Sequence, residues 1–309
     1  MTMPADAVLA AILRANGVGA LCVAGVLLAR LPVRRLFGPE FAYRLWRVPL
    51  FAALASFLPP QAEAGAAPAS PQHGFWPADG ATAILGLWAA GMVAVGLHLA
   101  LAQWRFLHAA RRGLAGPAVV GVVAPRIVMP PDDGRFTVDE RALIRAHERE
   151  HIHRGDPAVT AVIAAVKCLA WWNPFAVLAV HLARIDQELA CDAAVVRRLR
   201  GVRRLYATTL LKSQLAADAL PFGCRWPAAG RHPLEARIAL LRGPSREANL
   251  ATEALLVAIV VAAAGCAWGS KPPIAPVGHG YEQAQAEPNV SVLLIRPPES
   301  TQFHPTPSR

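Results

Sequence analysis

Long apolar stretches at residues 7–29, 81–104 and 249–268 each approach or exceed the roughly 20 residues an α-helix needs to cross the ~30 Å hydrocarbon core of a bilayer. A helix satisfies its backbone polar groups internally, so lipid accepts such segments and rejects irregular chain. A weaker span is expected at 44–60, where the apolar run is short and contains Pro49. The chain is 54% hydrophobic and only 17% charged over 309 residues, too apolar for an ordinary soluble protein. The first stretch carries Arg14 and Asn16 near its start and lacks the cleavage pattern of a removable signal peptide, so it is expected to stay attached.

Basic residues set the expected orientation. Between the first two spans lie Arg30, Arg34, Arg35, Arg44 and Arg47 against the single acid Glu40, whereas 61–80 holds Glu63 and Asp79 and no Lys or Arg. The positive-inside bias makes the first connection cytoplasmic, with the N-terminus outside. Three spans then deliver 106–248 to the cytoplasm, and a fourth at 249–268 returns the Pro-rich tail, 269–309, to the exterior, where it is expected to be disordered. The net charge of +10 is accounted for by this topology and by anionic lipid heads; no basic stripe interleaved with aromatics argues for nucleic acid. Cys22, Cys168, Cys191, Cys224 and Cys266 include no pair at metal-ligand spacing, so neither a disulfide framework nor a second metal site is expected.

Within the cytoplasmic segment, His147, Glu148 and His151 form His-Glu-x-x-His. Residues four apart share a helix face, so both histidines can hold one metal ion while Glu148 stands beside it as a base. Thr137 and Glu140 read as a capping box at the start of that helix, and Gly155 and Pro157 stop it. Asp156 before Pro157 reads as the N-cap of a second helix running to Trp171, and Asn173 before Pro174 as the cap of a third, ending near Arg200 and Gly201. A full crossing by the second helix would separate the two halves of the site, so it is expected to be a core or re-entrant helix.

A catalytic Zn2+ takes three protein ligands and keeps one position open, and Glu188 on the third helix is the expected third ligand. Asp192, one turn later, is expected to accept a hydrogen bond from a ligating imidazole. Glu148 would take a proton from water activated by zinc and return it to the leaving amine. Tyr206 is a candidate donor to the oxyanion, with core packing as the competing role. His153 and His181 are weaker candidates. A short hairpin is expected at Val119–Val123 and Arg126–Met129.

The stretch from Gly116 to Asp192 contains Gly-Pro-x-x-x-Gly, His-Glu-x-x-His, His-Arg-Gly-Asp-Pro, Trp-Trp-Asn-Pro-Phe and Glu-Leu-Ala-Cys-Asp, and it resembles the BlaR/MecR-type family of membrane zinc metallopeptidases. The resemblance implies His147, His151 and Glu188 as zinc ligands, Glu148 as base and Asp192 as supporting carboxylate. It also implies a bacterial cytoplasmic-membrane protein that signals by cleaving a cytoplasmic repressor or itself. Residues 269–309 are too few for the penicillin-binding sensor domain of the best-known members, so antibiotic sensing by this polypeptide is not expected. The expected fold is mainly α, with about four transmembrane helices and a cytoplasmic zincin-like (gluzincin) domain containing a small hairpin. The expected activity is that of a zinc metalloendopeptidase with a protein substrate, for example a winged-helix repressor. A non-catalytic signalling scaffold and a membrane quality-control protease are the alternatives.

Overall fold

A computed structural model describes residues 4–59, 78–217, 233–243 and 249–270. The expected Pro-rich tail beyond Ser270 lies outside them, as do much of the 61–80 connection and Cys224. In chain order the elements are α1 (Ala5–Phe37), α2 (Pro39–Arg44), α3 (Arg47–Ala55), α4 (Ala78–Arg111), β1 (Ala118–Val120), β2 (Arg126–Val128), α5 (Val138–His153), α6 (Asp156–Leu169), α7 (Pro174–Arg198), α8 (Arg203–Ala217), α9 (Pro233–Arg242) and α10 (Leu250–Gly269).

Among the described residues, three helices are long and apolar enough to cross a membrane: α1, most of α4 (Gly80–Arg111) and α10. The expected second span, 44–60, differs. It begins with the end of α2 and continues as the nine-residue α3, which at 1.5 Å per residue extends only about 14 Å, half a hydrocarbon core. Pro49 falls in the first turn of α3, where a missing N–H breaks no intrahelical bond. α3 packs between α1 and α10. Ala52, Ala55 and Ala267 are buried at that contact, small side chains that let helix backbones approach closely. Val26, Phe41, Leu45, Val48 and Leu256 continue the contact toward the other end of α3.

The helices that carry the His-Glu-x-x-His motif and Glu188 follow the local signals. Thr137 and Glu140 close the capping box of α5: Glu140 N–H donates to Thr137 Oγ1 at 3.3 Å, and Thr137 N–H to Glu140 Oε2 at 2.7 Å. Asn173 Oδ1 accepts from the amides of Phe175 and Ala176 at the start of α7. Gly201, with φ of 82°, takes the left-handed conformation just past its end. Gly155, with φ of 73°, occupies the N-cap of α6. Asp156 is therefore the first helical residue rather than the cap, and its side chain is free for other work. The hairpin pairs Ala118 with Val128, Val119 with Ile127 and Val120 with Arg126, antiparallel and shorter than expected.

Two sets of contacts seat α6 and α7 against the long helices. At the turn between them, the Trp171 indole donates to Trp88 O at 3.2 Å and the Trp88 indole donates to Leu169 O at 2.9 Å. Trp171 lies so close over Gly91 that a Cβ there would meet its ring at 2.2 Å. Asn173 Nδ2 donates to Asn16 Oδ1 on α1 at 3.1 Å. Farther along α7, Asp186, 1% exposed, accepts two hydrogen bonds from Arg30 at 2.9 and 3.0 Å and one from the Trp46 indole at 2.9 Å. Glu40 of α2 pairs with Arg197 at 2.7 Å.

Breaking a buried ion pair from one side leaves its partner charge uncompensated, at about 3–5 kcal/mol. Asp186→Ala is expected to destabilise the purified protein by that order, read as a lower midpoint of thermal unfolding in detergent. Gly91→Val is expected to cost about 1–3 kcal/mol in the same measurement, because the added side chain collides with the Trp171 ring and displaces it from its bond to Trp88 O.

Candidate metal centre

α5 and α7 pack against each other and bring the ligand groups of three residues together. His147 Nε2 and His151 Nε2 are 3.1 Å apart, Glu188 Oε2 is 3.4 Å from His147 Nε2, and Glu188 Oε1 is 3.6 Å from His151 Nε2. Bonds of about 2.0–2.2 Å at tetrahedral angles separate neighbouring ligand atoms by roughly 3.3–3.6 Å, so the two imidazole nitrogens and the Glu188 carboxylate, which turns a different oxygen to each, form a triangle of groups close to the size of one face of a tetrahedral metal site. The Glu188 side chain is 38% exposed, which leaves that side of the site open.

Behind each imidazole, the other ring nitrogen is held. His151 Nδ1 lies 2.7 Å from Asp156 Oδ2, and Asp156 also accepts from Tyr43 Oη at 3.2 Å and from Arg154 Nε at 3.2 Å. His147 Nδ1 lies 2.8 Å from Tyr206 Oη, which donates to Asp192 Oδ1 at 2.6 Å. Since the Tyr206 proton is committed to Asp192, its oxygen accepts from His147 Nδ1–H. Both rings then present Nε2 as a lone pair toward the triangle, the tautomer that metal ligation requires. Asp192 itself is 3.4 Å from His147 Nδ1, so its support of that ring runs mainly through the tyrosine.

Asp192 is fully buried and gripped by both faces of a guanidinium fork: Arg237 Nε donates at 2.7 Å and Nη2 at 2.8 Å. Arg237 Nη2 also sits 3.2 Å from Glu188 Oε2. Burial works against the Glu188 carboxylate, but the His147 contact and the charges of His147, Arg237 and His151 hold its pKa down to about 2. Burial pushes Glu148 up from the ordinary carboxylate range, against the pull of the two histidines. Burial opposes the charged form of His151 as well, yet the bond to Asp156 and the neighbouring carboxylates raise it.

A second grouping, His147, His151 and Cys191, also has ligand atoms within 4.8 Å of one another. Cys191 Sγ approaches His147 on its Nδ1 side, at 3.6 Å, and donates toward His147 O at 3.5 Å. It is fully buried, and burial pushes its thiol up, away from the thiolate that a metal needs. Glu188 is the better third donor.

Of the residues read from the sequence, His147, His151, Glu188 and Asp192 are thus brought together, and Glu148 is buried on the same helix. Tyr206 stands behind His147 in a core with Leu143, Val195 and Leu241, on the side away from Nε2, rather than over the open side where an oxyanion donor would be. His153 and His181 are exposed. Sequence reasoning missed Arg237, because a lone arginine among 31 basic residues carries no local signal. It read Asp156 first as a cap and second as a residue that could also touch the site; the aspartate five residues after His151 is the signal that a carboxylate could turn back to the ring.

A membrane-associated helical protein that aims two imidazoles and a carboxylate at one point is, as a class, metallopeptidase-like. Residues 107–241 match the family described as BlaR1 peptidase M56. The regulatory protein BlaR1 of Bacillus licheniformis is 29% identical over 100 residues, 32% of this chain and 17% of that protein. This chain therefore spans only a small part of that relative's length. No solved structure matches. By these matches, and by the motifs that carry them, residues 107–241 are similar to the BlaR/MecR-type family.

Arg237→Leu is expected to destabilise the protein by about 3–5 kcal/mol, since it strands the Asp192 charge in the interior. Chemical unfolding of the variant beside Arg237→Leu/Asp192→Leu checks this: the double variant should recover much of the loss.

Proposed function

We propose that the chain is a membrane-embedded zinc metalloendopeptidase that acts in signalling, cleaving a cytoplasmic regulatory protein, itself or both. The observation that carries this reading is the triangle of His147 Nε2, His151 Nε2 and Glu188, with each imidazole fixed from behind by a hydrogen-bond acceptor. These residues would hold Zn2+, which supplies Lewis acidity toward water and the scissile carbonyl. Glu148 takes the proton of the attacking water and passes it to the leaving amine; its burial-raised pKa suits a base that must also act as an acid. Asp156 and the Tyr206–Asp192–Arg237 group hold the two rings in register throughout. Similarity to a relative named a regulatory protein supports the signalling role.

The proposed topology has four crossings, with the N-terminus outside and the metal centre on the cytoplasmic side. It is supported by the direction of the helices. Asn16 on α1 meets the α6–α7 turn and Arg30, farther along α1, meets Asp186 near Glu188, so α1 runs from the turn toward the metal centre; α4 meets the same turn at Trp88. In this reading α3, packed on α1 and α10, begins the return crossing.

Glu148→Ala should keep its zinc and lose peptide-bond cleavage by about 10²–10⁴-fold. Mass spectrometry of new protein N-termini, in cells making wild type or the variant, reads this directly. Identical N-termini from two zinc-loaded, correctly inserted proteins would remove the peptidase reading in favour of a signalling scaffold. Asp156→Ala should weaken zinc binding by about 10–100-fold in competition with a chromophoric chelator.

A further inference from the structure

We infer that α6 and α7 form a re-entrant hairpin whose outer face is seated in lipid acyl chains, entering the bilayer to about its middle and returning to the same side. From Pro157 to Ala183 the sequence carries one charge, Lys167, and one histidine, His181. Neither helix is among the three that meet the requirements for a crossing. Their outward residues are nonetheless large and apolar: Val162, Leu169, Trp172, Phe175, Val177 and Leu178 are each 41–49% exposed.

The occupant follows from what the hairpin is docked against. Its tip touches α4 at Trp88 and Gly91, inside the apolar run, and α1 at Asn16, about 14 Å of helix from the start of the apolar stretch 7–29. From Asn16 to Arg30 is about 21 Å of helix, and from Asn173 to Asp186 about 20 Å. The two helices therefore run parallel and keep level, joined at one end by Asn16–Asn173 and at the other by Arg30–Asp186. α1 and α4 are long and apolar enough to cross a bilayer, and the hairpin docked on them adds its own exposed apolar face to theirs.

Length closes the argument. α6 has 14 residues, about 21 Å, whereas half a hydrocarbon core is about 15 Å. A tip near the midplane puts Asp156 and the metal-facing atoms a few ångströms outside the hydrocarbon, among the headgroups. The irregular turn 170–173 is tolerated at that depth because it is covered by protein: Ala170 N–H donates to Val166 O, Asn173 N–H to Ala170 O, and the indoles of Trp88 and Trp171 exchange bonds with backbone carbonyls. Lys167 keeps its ammonium on a flexible stem that can snorkel along the helix. Where the peptidase reading holds, this depth confines substrates to chain segments lying within reach of the membrane surface. The depth itself is tested without reference to cleavage.

The test uses the full chain in phosphatidylcholine–phosphatidylglycerol liposomes. Nitroxides are attached one at a time at Val162, Leu169, Val177 and Leu178, all surface positions, two on each helix. The other cysteines are replaced, except the fully buried Cys191. Leu97 on α4 serves as the lipid reference and Arg149 on α5 as the aqueous one. The ratio of collision rates with oxygen and with a water-soluble nickel chelate should be several-fold higher at all four positions than at Arg149, approach that at Leu97, and rise from Val162 to Leu169. Ratios equal to that at Arg149 would overturn the inference by putting the hairpin in water. Low collision rates with both reagents would overturn it too, by showing the face covered by protein, including a second copy of this chain.

Discussion

The buried aspartate is the element on which this architecture turns. α7 buries two: Asp186 on the side facing α1, and Asp192 on the side facing α8 and α9. Each is answered by a two-pronged arginine, Arg30 from the apolar N-terminal helix and Arg237 from near the other end of the described chain. A desolvated carboxylate without such a partner would cost about 3–5 kcal/mol, a large share of a fold's net stability, so these pairs favour one placement of α1, α7 and α9. Glu188 lies between the two aspartates along the helix, and its position is fixed by both. Asp156 repeats the pattern on α6, answering Arg154, Tyr43 and His151 together.

Features written in local sequence were legible. Helix ends were readable at Thr137, Asn173 and Gly201 because capping is a contact between near neighbours in the chain. The spacing of His147, Glu148 and His151 was readable because a helix converts four residues into one face. Long apolar stretches announced α1, α4 and α10. The weaker stretch 44–60 did not declare that its regular helix ends after nine residues, because its continuation depends on packing against α1 and α10 rather than on the run itself.

What escaped was long-range and electrostatic. Arg237 meets Asp192 across 45 positions, and Asp186 meets Arg30 across 156; neither pair leaves a periodicity to detect. Tyr206 was visible as a candidate, but its orientation was not. Only the folded core decides that the hydroxyl backs His147 instead of facing the open side. Asp156 was assigned to the helix start because its neighbours Gly155 and Pro157 look like a helix start. The glycine takes that role at positive φ, and the aspartate side chain is released to the imidazole.

Gly91 gives the membrane helices a keyway. An indole sits in the gap that a missing Cβ leaves on α4, and a side chain of any size at that point would collide with it. A groove along a helix would let a neighbour slide; a single-residue notch does not. It fixes the height of Trp171 on α4 and the angle around α4 from which it approaches. The rigid length of α6 then works as a ruler between that notch and His151, so the elevation of the metal-facing nitrogens is set by a count of residues and stays the same whichever side chains line the helix between.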